Sequence, residues 1–168
     1  MIFLKEKDIN IKIQDVLLNV RAVAVIVHND KVLFQKRKQD KFWALPGGKI
    51  RVGEKSEDTI KRELKEELEL NKFSVERCNS ISEYFFTFDN TLIHQYIFSY
   101  TVSVDNTEWI LDEIGEFDGK EINENLVFKW FDIDSLADAP IKPDFLKEQI
   151  DGIKNNNIMF TSYTENKK

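Results

Sequence analysis

The chain is poor in the residues that build covalent or soft-metal frameworks. Its 168 residues include one cysteine, Cys78, and two histidines. A single thiol forms no internal disulfide, which fits a reducing compartment, and it excludes a cysteine-only zinc site. His28 and His94 stand at no spacing to each other or to Cys78 that reads as a zinc motif, so both are expected to be structural or surface residues. Cys78 itself is expected to be a buried thiol. Long apolar runs are also missing. The longest, Ala22 to Val27, is far short of a membrane span, and the start turns charged at Lys5-Glu6-Lys7 before any signal-like core forms. No membrane association is expected, and a cytoplasmic protein is the default reading. Basic excess is lacking too: 24 Lys+Arg against 30 Asp+Glu give a net charge of -6. That balance argues against a protein that grips a nucleic-acid polymer by its phosphates. Neither a P-loop nor a GxSxG pattern occurs, so a nucleotide kinase or serine nucleophile has no support.

What remains is an ordinary soluble composition, 42% hydrophobic and 32% charged, with 13 Phe for a large core. The length suits a single domain over residues 1–168 that buries roughly 70% of its unfolded surface. Val16 to Val27 and Lys31 to Lys38 read as strands joined at Asn29-Asp30 in a hairpin. Pro46-Gly47-Gly48 forces a loop. Ser56 is a candidate N-cap for a helix reaching Leu70, with Glu57 and Asp58 in its first turn. Phe73 to Phe88 and Leu92 to Val104 form a second hairpin about Asp89-Asn90. An acidic segment, 105–125, reads as a solvated loop before a strand from Leu126 to Phe131. Asp132 to Leu136 looks like one helical turn. Pro143 opens a last helix with Phe145, Leu146, Ile150 and Ile153 as its stripe, ended by Asn155-Asn156-Asn157. The alternation of strands and helices predicts an α/β fold with a mixed sheet covered by helices on both faces.

The chemistry concentrates in residues 48–70. On a helix, Glu63, Glu66 and Glu67 share an arc of about 100°, beside an apolar arc of Ile60, Leu64 and Leu68. Ion pairs Glu57–Lys61 and Asp58–Arg62 at four-residue spacing would make this a plain solvated helix. They leave Glu63 and Glu67 unexplained, since like charges one turn apart repel unless a cation lies between them. A hard divalent ion supplies that charge.

Gly48, Glu54, Arg62-Glu63-Leu64, Glu66-Glu67 and Leu70 together resemble the signature box of the Nudix hydrolases, the MutT-type family. The flanks resemble it as well, with a strand hairpin before Trp43-Ala44-Leu45-Pro46-Gly47-Gly48 and a late Lys129-Trp130-Phe131 strand. One position departs: Glu69 stands where the family has glycine, and the left-handed role of that glycine is expected to pass to Asn71.

The resemblance implies a Nudix-type α/β/α sandwich and hydrolysis of a nucleoside diphosphate linked to another moiety, by attack of water on phosphorus. It implies Glu63, Glu66 and Glu67 as holders of Mg²⁺ or Mn²⁺, and Arg62 as the residue that orients a glutamate. Glu63 is the first choice for the general base, with Glu113 and Glu116 of the acidic segment as alternatives. Gly47 and Gly48 would let the main chain approach phosphate or metal. Arg37 with Lys38 either meets substrate phosphate or is a plain exposed strand end, and Glu54 is expected to support from outside or to pack its loop. Phe85, Phe86, Tyr96 and Phe98 are either core or a base-stacking wall, core packing being favoured. The expected partner is a small nucleotide-derived substrate. A homodimer through an unpaired N-terminal strand, Ile9 to Ile13, is a further expectation. The alternative function is a catalytically silent nucleotide-binding module of the same fold, for which Glu69 speaks.

Overall fold

The computed structural model of the protein describes residues 7–152 and 159–165. Strand β1 (Asn10–Ile13) leads into the long β2 (Val16–His28), and Asn29 and Asp30, both at positive φ, turn the chain into β3 (Lys31–Arg37). Two successive left-handed residues are what a two-residue hairpin requires, and Asn and Asp tolerate that conformation. The loop that follows ends in β4 (Gly47–Lys49), helix α1 spans Ser56–Leu68, and β5 (Phe73–Phe88) and β6 (Thr91–Val104) form the second hairpin. Its turn residues, Asp89 and Asn90, are again left-handed. A 3-10 turn (Trp109–Asp112), β7 (Glu116–Asp118), β8 (Leu126–Asp132), a second 3-10 turn (Ile133–Asp138), α2 (Leu146–Gly152) and β9 (Met159–Thr164) complete the order.

The sheet runs β7-β8-β3-β2-β6-β5-β9, with β1 and β4 also paired to β2. It is mixed: β2 is parallel to β6 and β5 to β9, while the other pairings are antiparallel. Along one edge β2 keeps β6; along the other it changes partner from β1 to β4 to β3. β2 and β3 share only two residue pairs before they diverge. Residues 44–49 enter the gap, with the Ala24 amide donating to Pro46 O at 2.8 Å and Gln35 and Ala44 exchanging backbone bonds.

Alternate residues of β2 serve two cores, as period-two geometry demands. Ala22, Ala24 and Ile26 pack with Ile60, Leu64 and Leu68 of α1, all essentially solvent-free. The small Ala22 and Ala24 side chains let the helix approach the sheet closely. Val23 and Val25 pack on the other face with Phe145, Leu146 and Ile150 at α2. The arrangement is an α/β/α sandwich.

Several sequence expectations are corrected here. Gly47 and Gly48 lie in a strand, not in the loop, because their backbone pairs with Val23 and Ala22. Ser56 is the first helical residue; the cap is Lys55, with no side-chain cap bond, and the Ser56 hydroxyl instead meets Tyr100 OH at 2.6 Å. The helix ends at Leu68, and Glu69 itself takes the left-handed conformation (φ 52°, ψ 30°) that was expected of Asn71. Its amide donates to Lys65 O at 3.0 Å, while Asn71 Nδ2 donates to Glu69 O at 2.9 Å. The N-terminal strand is not unpaired, since β1 runs antiparallel to β2. The acidic segment is partly ordered by the first 3-10 turn and β7. Cys78 is half-buried rather than buried, its Sγ 3.4 Å from Ser80 O. Strand β9 was not foreseen, and Ile153 and Asn155 to Asn157 lie outside the described residues. No helix among the described residues is long and apolar enough to cross a membrane.

Candidate functional site

Helix α1 lies against β2 through its apolar arc, and this docking aims Glu63 at the backbone of β4. The fit is close: a Cβ added to Gly48 would stand 2.0 Å from Glu63 Oε1. Gly47, at φ +135°, has an equally tight reason, because a Cβ there would meet Ala22 O at 2.2 Å. The glycine pair therefore brings bare main chain beside the glutamates.

Arg62 organises the acidic arc. Its Nε and Nη2 donate to the two oxygens of Glu54 at 2.8 and 3.1 Å, its Nη1 to Glu63 Oε1 at 2.6 Å and Glu66 Oε2 at 3.2 Å, and Nη2 also to Lys49 O at 3.2 Å. The expected Asp58–Arg62 pair is absent because Arg62 turns inward to these partners; Asp58 instead meets Lys61 at 3.6 Å. Burial alone would push the Glu54 carboxyl up. Hydrogen bonds from Arg62, the Arg51 amide and the Thr59 hydroxyl more than reverse that and hold it at about 2. A fork-to-carboxylate pair supported in this way fixes the guanidinium geometry.

Glu67, 5% exposed, is the most enclosed of the acids. Gln35 Nε2 donates to its Oε1 at 3.3 Å, and its Oε2 is buried with no partner. Burial, then the neighbouring Glu63 charge, raises its pKa well above the usual carboxylate range. Burial also raises Glu63, outweighing the Arg62 contact.

These groups open into a cavity of about 850 Å³. Of the residues singled out in the sequence, Arg37, Gly47, Gly48, Arg62, Glu63, Glu66 and Glu67 all line it. Arg37 is held by Glu124 at 2.9 Å, and Lys38 turns to Asp118 at 2.8 Å. Glu113 and Glu116 lie outside the lining; the acidic segment contributes Glu121 and Glu124 instead. Glu121 is drawn in because the Lys120 amide donates to Glu67 O at the end of α1 (2.7 Å). Its pKa is raised by burial and then by Glu124, Glu66 and Glu63. The aromatic set divides by strand face. Phe86 stacks on Tyr84 in the cavity wall, whereas Phe85 and Tyr96 flank His94 on the opposite face and Phe98 joins the α1 core.

Sequence reading missed Arg21 and Gln35. Arg21 Nη2 donates to Gly47 O at 3.2 Å, and burial pulls its pKa down against the pull of Glu67 and Glu63; it stays a cation. The only signal for either was a polar residue interrupting an apolar strand.

Among the described residues no three His, Cys, Asp or Glu side chains form a ready metal cluster. Arg62 already occupies Glu63 and Glu66. The donor chemistry nevertheless fits a hard divalent cation. Glu63, Glu66 and Glu67 line one cavity, and the buried Glu67 Oε2 has no hydrogen-bond partner in the protein. Mg²⁺ does not need a closed protein cage, since it keeps waters and shares one or two carboxylates with substrate phosphates.

Comparison with known proteins bears on the family and the fold. The sequence profile described as "NUDIX domain" matches residues 18–149. No curated protein sequence matches the chain. A crystal structure of a mutator MutT protein from Bacillus halodurans is 18% identical, with 87% of this chain and 90% of that one covered at a TM-score of 0.61. An ADP-ribose pyrophosphatase from Streptococcus suis is 16% identical over 86% and 98%, at 0.57. A NUDIX-family hydrolase from Clostridium perfringens is 24% identical over 81% and 96%, also at 0.57. At these identities the likeness is one of fold.

Proposed function

Because the chain belongs to the Nudix family, we propose that it is a Mg²⁺- or Mn²⁺-dependent hydrolase that cleaves a nucleoside diphosphate linked to another moiety. The observation that carries this reading is the buried, half-partnered carboxylate of Glu67 on the same cavity wall as Glu63, Glu66 and the bare backbone of Gly48. Leaving a buried carboxylate oxygen without a hydrogen-bond partner is costly, and its retention makes sense where a cation is to be held.

In this reading Glu63, Glu66 and Glu67 hold the ion, which when bound supplies charge neutralisation of the diphosphate and a more acidic water. Arg62 sets the positions of Glu63 and Glu66, and Glu54 sets Arg62. Glu63, its Oε1 held by Arg62 Nη1 at 2.6 Å, takes the proton of the attacking water. Arg21 and Arg37 offer positive charge to the phosphates, and Gly47 and Gly48 let main-chain groups come near them. The silent-binder alternative rested on Glu69; that residue holds the left-handed helix end itself, so the departure leaves the acidic arc in register. The same reading places the enzyme in the cytoplasm, acting on small molecules rather than nucleic-acid polymers. It forms a homodimer through the outer face of β1, where Ile11 and Ile13 are exposed.

The test is turnover on a panel of nucleoside diphosphate derivatives with and without Mg²⁺. Wild type is expected to cleave at least one in a Mg²⁺-dependent manner, with Glu63→Gln and Glu67→Gln slower by about 100-fold or more. Absence of any turnover, or variants as fast as wild type, would overturn the assignment.

A further inference from the structure

In the lining of the same cavity, three side chains from distant parts of the chain are joined. Lys142 Nζ donates to Glu165 Oε1 at 2.7 Å, and Tyr84 OH donates to Glu165 Oε2 at 2.7 Å. Glu165 follows β9 and lies beyond residue 149, where the family profile ends. Its backbone amide is fixed by Phe85 O at 2.8 Å, so the pairing of β9 with β5 delivers it to this place. All three residues line the cavity.

The pair has hydrogen-bonding capacity to spare. Lys142 uses two of its three donors, on Glu165 and on Asp144 Oδ2 (3.0 Å). A carboxylate offers about four acceptor sites, of which Glu165 commits two. One free donor and free acceptors thus stand side by side, about a third exposed (31% for Lys142, 39% for Glu165).

Around them the wall is aromatic. Phe86 stacks on Tyr84 with centroids 4.6 Å apart, and Phe42 and Phe88 are 51% and 67% exposed. Lys142 Nζ sits 5.6 Å over the Phe42 ring. Large exposed rings in a concave site beside a few placed polar groups are the features of a pocket for a flat ligand.

The spacing suits one molecule. β6 lies between β2 and β5, so Tyr84, in register through Gln95 with Asn19, stands two strand spacings, about 10 Å, from β2 and is offset by two residues from Arg21. That leaves room for a sugar between a diphosphate near Arg21 and a ring near Tyr84.

We propose that Lys142 and Glu165 determine substrate specificity by reading the edge of a nucleobase, one that presents an N–H beside a ring nitrogen or carbonyl acceptor and stacks on the aromatic wall. This rests on the nucleotide-hydrolase reading above for its substrate, but its test does not need turnover.

The test is metal-free calorimetric titration of wild type, Glu165→Gln and Lys142→Met with the four common nucleoside 5′-monophosphates and with ribose 5-phosphate, which lacks the base. Wild type is expected to bind at least one nucleotide about tenfold more tightly than ribose 5-phosphate. Each variant is expected to cut that ratio about fivefold or more, since each loses a base-edge contact. Glu165→Gln keeps the shape and a hydrogen-bond acceptor for Tyr84, and Lys142→Met keeps the stem, so two routes avoid a folding failure. If the ratio in both variants equals that of wild type, or if wild type shows no base preference, the pair only docks β9 and the proposal is overturned. Base preference lost in the variants of a protein without turnover would support this inference and sink only the hydrolase reading.

Discussion

Gln35 Nε2 lies 3.3 Å from Glu67 Oε1 and leaves the second oxygen of that buried carboxylate without a partner. The single amide contact comes from β3, at the point where β3 has left β2. The site thus depends on a gap in the sheet. A continuous β2–β3 hairpin would have closed the space that the acidic arc and the glycine strand share.

Glu67 is expected to trade stability for activity. Glu67→Gln removes the desolvation cost of a buried carboxylate with a single hydrogen bond and is expected to raise metal-free stability by about 1–2 kcal/mol, while hydrolysis falls about 100-fold. Urea unfolding and turnover on one preparation check both halves. A variant less stable than wild type would contradict the electrostatic account of this residue.

Gly48→Ala is expected to disable the enzyme with the fold intact. The added methyl overlaps the present Glu63 carboxylate, so Glu63 must turn away from β4 and from Arg62. A loss of about 10- to 100-fold in kcat, with a circular dichroism spectrum like that of wild type, is the expected outcome.

Glu54 governs acid stability. Its folded pKa of about 2 lies below the ordinary value of 4.5, so its contribution is fully present above pH 4.5 and is lost as the pH falls toward 2. Glu54→Gln is expected to cost at most about 3 kcal/mol near neutrality. The difference should shrink through that window and vanish below it. Denaturant midpoints at pH 7, 4 and 2 measure this.

Glu69→Gly is expected to stabilise the chain by about 1 kcal/mol, because a glutamate held at φ 52° carries the steric cost that glycine avoids. Activity should be unchanged, since the side chain is exposed and is not among those that line the cavity. Thermal melts with matched turnover assays check it.

Local chemistry made much of this molecule legible. Asn29-Asp30 and Asp89-Asn90 announce hairpins because so few residue types tolerate two successive left-handed positions, and the acidic arc of α1 follows from helical spacing alone. Features set by distant partners were not legible. Gly47-Gly48 reads as a loop until β2 supplies a pairing edge, and β9 gains its identity from β5. Glu121 enters the site only because Lys120 bonds to the end of α1, an association that no spacing within 105–125 encodes. Arg21 and Gln35 look like interruptions in apolar strands until the sheet opens between them.

The central claim is that Glu67 and its neighbours hold a divalent cation, and titration of Mn²⁺ followed by electron paramagnetic resonance tests it most directly. Wild type is expected to sequester Mn²⁺, with a competing signal on adding Mg²⁺, and Glu67→Gln to bind at least about tenfold more weakly. Equal Mn²⁺ uptake by the two proteins, or none by wild type even with a non-hydrolysable diphosphate analogue, would contradict the account.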